Sequence, residues 1–326
     1  MVYLELIGGL LLLLLCGDLF VRGAVGIAER LAVSPLVIGL TLVGFGTSLP
    51  ELVTSLEAAR QGSPAIAVGN VVGSNIANVL LILGLSGLVA PIAAKPGTFR
   101  LNGPVLVGAS LLALGVFFLG EIGRWWGAVF VALLLSYTVT AYWRERHGLG
   151  DDGMGELAAE VDSVPPRRAS FTLYGTFTLF GLAGIVLGAN LLIGSAVALA
   201  RDVGISETVI GLTIVAVGTS LPELATSVIA AFRRHGDVAL GNVIGSNIFN
   251  LLGILGVTAL YTPIPVAAEI VTFDGWIMLA ATALLILFSM TRARLERWES
   301  AILVTGYAGY MAILLLPGPR AALGLD

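Results

Sequence analysis

The sequence predicts an all-α membrane protein in which ten transmembrane helices form two inverted-topology five-helix repeats. Three observations support this prediction. The 326-residue chain is 57% apolar and only 12% charged, with a mean hydropathy of +0.98, which excludes an ordinary soluble domain. Apolar stretches of about 20 residues, long enough to span a bilayer as a helix, follow one another along the chain. Part of the first half also recurs in the second half.

The apolar stretches predict ten helices, most of them separated by short connections. Their expected bounds are 2–28, 33–59, 65–90, 101–120, 124–143, 171–199, 205–231, 237–261, 271–290 and 299–316. One connection is longer, and its mixed charges, glycines and paired prolines are typical of a flexible linker. We therefore expect a first repeat at 1–143, a linker at 144–170 and a second repeat at 171–326.

Basic residues are distributed unevenly among the predicted connections. Thirteen of the 17 Lys and Arg residues fall in the odd-numbered connections. Lys and Arg in short loops tend to remain on the cytoplasmic side of a membrane. This bias predicts that both termini lie outside and that the 144–170 linker is cytoplasmic.

The two halves share a gapless repeat. Residues 39–84 align with 211–256 at an offset of 172 residues, and 28 of these 46 positions are identical. Because each half has an odd number of predicted helices, the second half enters the membrane from the opposite side. An inverted repeat of this kind has a pseudo-two-fold axis in the membrane plane and brings equivalent motifs together near the midplane.

The segment GTSLPE occurs once in each half, at 46–51 and 218–223. In both copies a threonine, a serine and a glutamate stand at i, i+1 and i+4, so both hydroxyls can lie beside the acid. The residues are Thr47, Ser48 and Glu51 in the first copy and Thr219, Ser220 and Glu223 in the second. The proline before each glutamate lacks an N–H and is expected to kink the helix and free a carbonyl oxygen.

A second motif follows each copy, GNVVGSNIAN in the first half and GNVIGSNIFN in the second. It places a serine and an asparagine four residues apart, on one helix face. These pairs are Ser74 with Asn78 and Ser246 with Asn250. Asn75 and Asn247 lie about 100° further around the helix. Together the two motifs offer carboxylate, hydroxyl, amide and carbonyl oxygens as metal ligands, without a thiolate or an imidazole. Such a set of ligands favours a hard cation.

Ca²⁺ accepts roughly six to eight oxygen ligands, whereas zinc or copper would call for His or Cys. Two ionised glutamates carry a charge that one Ca²⁺ or two Na⁺ would neutralise, so the two cations would compete for one site. A charged side chain at bilayer depth costs at least about 2.5 kcal/mol on insertion scales, so two matched glutamates indicate function rather than packing. Asp18 and Asn190, also equivalent in the repeat, are expected to have a packing or gating role rather than a ligand role.

These motifs resemble the two alpha repeats of the cation/calcium exchanger superfamily, most closely those of the short prokaryotic sodium/calcium exchangers. The resemblance implies a monomeric ten-helix antiporter in the inner membrane of a prokaryotic cell. It implies that helices 2, 3, 7 and 8 hold the transported Na⁺ and Ca²⁺ ions while helices 1 and 6 slide past them. An enzymatic activity, a cofactor and a nucleic-acid partner are not expected.

The resemblance also implies a set of ion ligands, carried over by motif position. In the first half these are Thr47, Ser48, Glu51, Ser74 and Asn78, with the backbone carbonyl of Gly44. In the second half they are Thr219, Ser220, Glu223, Ser246 and Asn250, with the backbone carbonyl of Ala216. Some members carry Asp where this chain has Asn250, and the missing acid disfavours potassium co-transport.

The sequence leaves other functions open. A proton/calcium antiporter would use the same two glutamates, alternating between protonated and calcium-bound states. A passive cation channel would also suit broken helices, although conduction requires weaker binding than a two-carboxylate cage provides. An intramembrane enzyme is disfavoured because no membrane-buried His is expected and no base is expected beside Ser48 or Ser220.

Overall fold

The computed structural model describes residues 2–31, 35–60, 62, 64–93, 98–146, 170–202, 218, 220–291 and 294–316. The first half contains α1 (Val2–Leu31), α2 (Pro35–Ile38), α3 (Gly44–Thr47), α4 (Leu49–Arg60), α5 (Ala65–Ala77), α6 (Gly84–Val89), α7 (Thr98–Phe117) and α8 (Arg124–Arg146). Two π-helical turns connect these elements. Gly39–Val43 joins α2 to α3, and Asn78–Leu83 joins α5 to α6.

Within the described residues, the second half repeats most of this order. It contains α9 (Phe171–Asp202), α10 (Leu221–Phe232), α11 (Gly236–Ile248), α12 (Leu255–Tyr261), α13 (Gly275–Thr291) and α14 (Arg297–Leu315). A π-helical turn at Phe249–Ile254 joins α11 to α12, and another at Ile270–Asp274 precedes α13. The greater part of the predicted helix at 205–231 and most of the 144–170 linker lie outside the described residues.

Seven helical spans in the described part of the chain are long and apolar enough to cross a membrane. They are Val2–Ala28, Ala65–Val89, Arg124–Arg144, Phe171–Leu191, Gly236–Tyr261, Ile270–Ser289 and Arg297–Leu315. Two shorter apolar helices are also present, Asn102–Phe117 and Leu221–Phe232. The chain is therefore a helical, multi-pass membrane protein, as its composition predicts.

The helix is interrupted at the serine of each GTSLPE copy. Ser48 has φ −85° and ψ 5°, and Ser220 has φ −88° and ψ 9°. Pro50 and Pro222 follow in the first turn of α4 and α10, where a missing N–H is tolerated. The expected disruption of the helix is confirmed. Both glutamates consequently stand in the first turn of a new helix, where the helix dipole favours a negative charge.

Two short strand pairs join the halves crosswise. Strand β1 (Ile92–Ala93) pairs antiparallel with β4 (Arg294–Leu295), and β2 (Glu121–Ile122) pairs antiparallel with β3 (Ile264–Pro265). By position in the repeat, β1 is equivalent to β3 and β2 is equivalent to β4. Exchanging the two halves therefore converts one strand pair into the other.

Side-chain contacts of the helices also occur at equivalent positions of the two halves. Ser110 and Thr282 occupy equivalent positions, and their hydroxyl oxygens lie 3.4 Å apart where α7 meets α13. The Tyr137 hydroxyl donates to Asn102 at 3.0 Å, and the equivalent pair, Tyr310 to Asp274, has a distance of 2.9 Å. A contact between two equivalent positions is expected of residues that lie close to a two-fold axis between the halves.

Helices α1 and α9, the first helix of each half, pack against each other along much of their length. Glycines allow this approach. A Cβ atom at Gly23 would lie 2.6 Å from the Thr178 nitrogen, and one at Gly181 would lie 2.6 Å from the Phe20 nitrogen. Side chains at these positions would force the helices apart, since both neighbours are backbone atoms.

An ion pair ties α1 to the end of α10. The Asp18 carboxylate lies 2.8 Å from the guanidinium of Arg22, one turn away, and also contacts that of Arg233, the residue that directly follows α10. Asn190, its equivalent in α9, is exposed. Because the Asp18 carboxylate is already paired with two guanidinium groups, the structure favours the packing or gating role over the ligand role.

We expect Gly181→Val to destabilise the protein by roughly 1–3 kcal/mol, because the added carbons would overlap the backbone at Phe20. Thermal unfolding of the detergent-solubilised protein would measure the loss. Gly175→Val on the same helix is the matched control, since nothing beyond its own turn of helix lies within 4 Å of its Cβ position. Equal stability of the two variants would contradict the packing described for α1 and α9.

Candidate cation site

The two GTSLPE glutamates lie buried, and serine hydroxyls connect them across the halves. Glu51 and Glu223 are each only 1% exposed. Ser48 Oγ donates to Glu223 Oε1 at 2.8 Å, and Ser220 Oγ donates to Glu51 Oε1 at 3.5 Å. Each serine therefore bonds the glutamate of the other motif copy, so the two motifs meet in one site.

An asparagine holds the backbone at each glutamate. Asn70 Nδ2 donates to the Glu51 carbonyl at 3.4 Å and to Ser55 Oγ at 3.1 Å. Asn242 makes the equivalent two bonds in the second half, at 3.3 Å and 2.8 Å. Neither asparagine is among the predicted ligands. The available signal was the identical GN dipeptide that opens the second motif in both halves.

Four buried asparagines bond across the halves at the second motif. Asn78 Nδ2 donates to Asn247 Oδ1 at 2.9 Å, and Asn250 Nδ2 donates to Asn75 Oδ1 at 3.1 Å. Asn78 and Asn250 are predicted ligands. Asn75 and Asn247 lie on a different helix face, and the structure shows that they contact the predicted ligands of the opposite half.

The structure also brings together Gly44 and Ser246, two further predicted ligands from opposite halves. Ser246 Oγ donates to the Gly44 carbonyl at 3.1 Å. Thr47 Oγ1 lies 3.0 Å from the Val43 carbonyl and 3.2 Å from Asn242 Oδ1, so it too contacts the second half.

The three other predicted ligands are Ser74, Ala216 and Thr219. Ser74 is buried, 5% exposed, on α5. Ala216 and Thr219 lie outside the described residues.

Four buried oxygens in this site accept no hydrogen bond from any described residue. They are Glu51 Oε2, Glu223 Oε2, Asn78 Oδ1 and Asn250 Oδ1. A buried acceptor without a partner is costly, and a cation would compensate for it. Each half provides one carboxylate oxygen and one amide oxygen, which are typical ligands of a hard cation.

The described residues contain no cluster of three or more His, Cys, Asp or Glu side chains. The candidate site is therefore built from two carboxylates supplemented by hydroxyl, amide and carbonyl oxygens. Such a mixed oxygen set suits Ca²⁺ or Na⁺ better than a transition metal.

A family model described as sodium/calcium exchanger protein matches residues 1–143 and 173–316. The chain belongs to the sodium/calcium exchanger family. The resemblance seen in the motifs is confirmed, and the match includes both copies of each motif. As a member of this family the chain is a cation/Ca²⁺ exchanger, a transporter rather than an enzyme. The substrates of the family are Na⁺ and Ca²⁺, and no cofactor is indicated.

Individual exchangers and membrane proteins are similar over nearly the whole chain. The sodium/calcium exchanger MaX1 of Methanosarcina acetivorans is 34% identical over 342 residues, covering 96% of this chain and 98% of its own. The inner membrane protein YrbG of Escherichia coli is 34% identical over 320 residues, covering 96% and 97%. The structure of the sodium-calcium exchanger NCX_Mj soaked with Na⁺ and Ca²⁺ is similar with a TM-score of 0.80 at 33% identity, covering 96% and 97%.

Close approach of backbones at Gly44 allows the contact between the halves of the exchanger. A Cβ atom at Gly44 would lie 2.9 Å from the Ser246 nitrogen and 3.1 Å from the Gly245 carbonyl carbon. A Cβ atom at Gly245 would overlap the carbonyl oxygen of Leu40. The absence of side chains here lets the backbone before Ser48 lie directly against α11.

We expect Gly44→Ala to weaken Ca²⁺ binding roughly tenfold, the change produced by about 1.4 kcal/mol, because the methyl group would separate the Gly44 carbonyl from Ser246. Calorimetric titration of the purified protein with Ca²⁺ would measure it. Gly46→Ala is the control, since its nearest neighbour would be Leu182 Cδ2 at an ordinary 3.6 Å. Unchanged affinity in Gly44→Ala would show that this contact does not shape the site.

Proposed function

We propose that the chain is a secondary active antiporter that exchanges Na⁺ for Ca²⁺ by alternating access, with the ions held between predicted helices 2, 3, 7 and 8. The main support is the buried pair Glu51 and Glu223, each hydrogen-bonded by a serine of the other half. Two carboxylates so placed lose their hydration and repel each other. A bound cation would offset both effects.

In this proposal both glutamates ligate Ca²⁺ directly, and the hydroxyls help to define the sodium positions. The proposed ligands in the first half are Gly44, Thr47, Ser48, Glu51, Ser74 and Asn78. Those in the second half are Ala216, Thr219, Ser220, Glu223, Ser246 and Asn250. The carbonyl oxygen contributes at Gly44 and Ala216, and the side chain contributes at the other positions.

The charge of the site explains why transport would be exchange. Two ionised glutamates carry a formal charge of −2, which one Ca²⁺ or two Na⁺ would neutralise. Because both ions use the same oxygens, occupancy by one excludes the other. If the site can change the side of the membrane it faces only when a cation is bound, the movement of Ca²⁺ in one direction is coupled to the movement of Na⁺ in the other. The names of MaX1 and NCX_Mj as sodium/calcium exchangers support Na⁺ as the counter-ion.

We further propose ten membrane spans in two inverted repeats at 1–143 and 171–326, acting as a monomer. The crosswise strand pairs and the contact of Ser110 with Thr282 support a two-fold relation between the halves. The distribution of Lys and Arg supports external termini and a cytoplasmic linker at 144–170. The name of YrbG as an inner membrane protein supports that location.

Alternating access would involve α1 and α9 moving together past the ion-holding helices. Their glycine-mediated contact at Gly23 and Gly181 supports a single moving unit, because backbone neighbours so close leave little room for the two helices to shift independently. The ion pair of Asp18 with Arg233 would connect this unit to the end of α10.

Sodium-loaded proteoliposomes diluted into sodium-free medium should accumulate ⁴⁵Ca²⁺, because the outward sodium gradient would drive calcium inward. A proton gradient alone should not drive uptake. Vesicles without protein and vesicles without a gradient are the controls. Uptake driven only by a proton gradient would mean that H⁺ rather than Na⁺ is the counter-ion. If neither gradient drives uptake, the proposed exchange is overturned.

We expect Glu51→Gln and Glu223→Gln each to abolish calcium exchange while the protein still folds, since a neutral amide is easier to bury than a carboxylate. Uptake of ⁴⁵Ca²⁺ and elution on size-exclusion chromatography would be measured together. Glu57→Gln on α4 is the matched control, because Glu57 is partly exposed and ion-paired with Arg60. Wild-type uptake in either of the first two variants would refute the ligand assignment.

A further inference from the structure

We propose that Asn75 and Asn247 are positioning residues that turn the side-chain oxygens of Asn250 and Asn78 toward the transported cation. The inference rests on the proposed function, in which Asn78 and Asn250 are ligands. Neither positioning residue belongs to the ligand set. Each acts on a ligand of the opposite half through one hydrogen bond.

The direction of the Asn78 amide follows from a backbone carbonyl. Asn247 Nδ2 donates to the carbonyl oxygen of Asn75 at 3.4 Å. Because a carbonyl can only accept, the Asn247 amide must present its nitrogen there, which leaves Oδ1 as an acceptor. This Oδ1 accepts from Asn78 Nδ2 at 2.9 Å. Asn78 therefore directs its own Oδ1 elsewhere, and that atom is buried without a hydrogen-bond partner among the described residues.

The mirror-image chain fixes Asn250. Asn75 Nδ2 donates to the carbonyl oxygen of Asn247 at 3.4 Å, and Asn75 Oδ1 accepts from Asn250 Nδ2 at 3.1 Å. Asn250 Oδ1 is likewise buried and accepts no hydrogen bond from a described residue. Two backbone carbonyls thus determine the orientation of two ligand amides, each through one intermediate amide.

We call each chain of hydrogen bonds, from a backbone carbonyl through Asn247 or Asn75 to the ligand amide, a relay. Such a relay matters because an asparagine side chain can present either end of its amide to a cation. The two ends of its amide are nearly equal in size, but one accepts and the other donates. A flipped amide would present two N–H groups to the cation, which would remove a ligand and add repulsion. A site with only two carboxylates depends on its neutral oxygens, so the correct amide orientation matters for cation affinity.

The same contacts could instead merely hold α5 against α11. A double-mutant cycle separates these two roles. If Asn247 acts through Asn78, replacing Asn247 has no further effect once Asn78 has lost its amide. If Asn247 only holds the helices together, the losses of Ca²⁺ affinity in the two single variants multiply in the double variant.

The experiment is a calorimetric Ca²⁺ titration of the purified full-length protein and of Asn78→Ala, Asn247→Ala and the double variant. We expect each single variant to bind roughly tenfold more weakly, and the double variant to bind no more weakly than Asn78→Ala. The ⁴⁵Ca²⁺ uptake assay should show the same pattern in KM for Ca²⁺. The mirror cycle with Asn75→Ala and Asn250→Ala tests the relay independently should Asn247→Ala fail to fold.

A matched control comes from another buried asparagine of α11, Asn242, which bonds the Glu223 carbonyl and not Asn78. The fold-loss of Ca²⁺ affinity in Asn242→Ala should multiply with the fold-loss in Asn78→Ala. Multiplying losses in the Asn247 or Asn75 cycle would overturn the relay while leaving the proposed function intact. Absence of Ca²⁺ binding by the unmodified protein would overturn the proposed function itself, and the relay with it.

Discussion

The structure depends on two carboxylates that neither half can satisfy alone. Glu51 and Glu223 are almost fully buried, and an unpaired charge buried at bilayer depth is strongly unfavourable. The hydroxyl donated to each glutamate comes from the other half, through Ser48 and Ser220. Burial of the acids therefore requires the two GTSLPE copies to face each other, and the crosswise strand pairs and glycine contacts hold the halves in that position.

Bonds within a half and bonds between halves have different roles at this site. The backbone at each glutamate is held within its own half, by Asn70 in the first and Asn242 in the second. The side-chain contacts of Ser48 and Ser220 run between the halves, and so do those of the other four asparagines, Asn75, Asn78, Asn247 and Asn250. The position of each acid is thus a local property of one repeat, whereas the direction of its oxygens is a property of the assembled pair.

This division explains which features of the site the sequence could predict. The duplicated GTSLPE segment was sufficient to predict the pair of glutamates and the break in the helix at each copy. Helical spacing placed Ser48 beside Glu51 of its own motif, yet the serine donates to Glu223. Spacing along one helix describes only local neighbours, so a contact between residues 175 positions apart could not be read from it.

The roles of Asn75 and Asn247 were hidden for a related reason. Counting around an ideal helix placed them off the ligand face, which made them appear unrelated to the site. The neighbouring proposed ligand Asn78 begins a π-helical turn, and Asn250 lies within one, so the ideal helical spacing does not continue past them. The partners of Asn75 and Asn247 moreover belong to the opposite half, whose position is determined only by the assembled fold.

Hydrogen bonds that cross the site also restrict how it can open. Separating the halves would break the serine–glutamate bonds at Glu51 and Glu223 together and leave two buried carboxylates without their donors, a costly state. In the proposed exchange, access from either side would cost less if it came from moving elements that contribute none of these bonds. Among the described residues, none of the hydrogen bonds that cross the site involves α1 or α9, and α1 is joined to the end of α10 by the ion pair of Asp18 with Arg233. Because a partly exposed ion pair contributes little to stability, breaking it in the proposed movement would cost little while the serine–glutamate bonds stay in place.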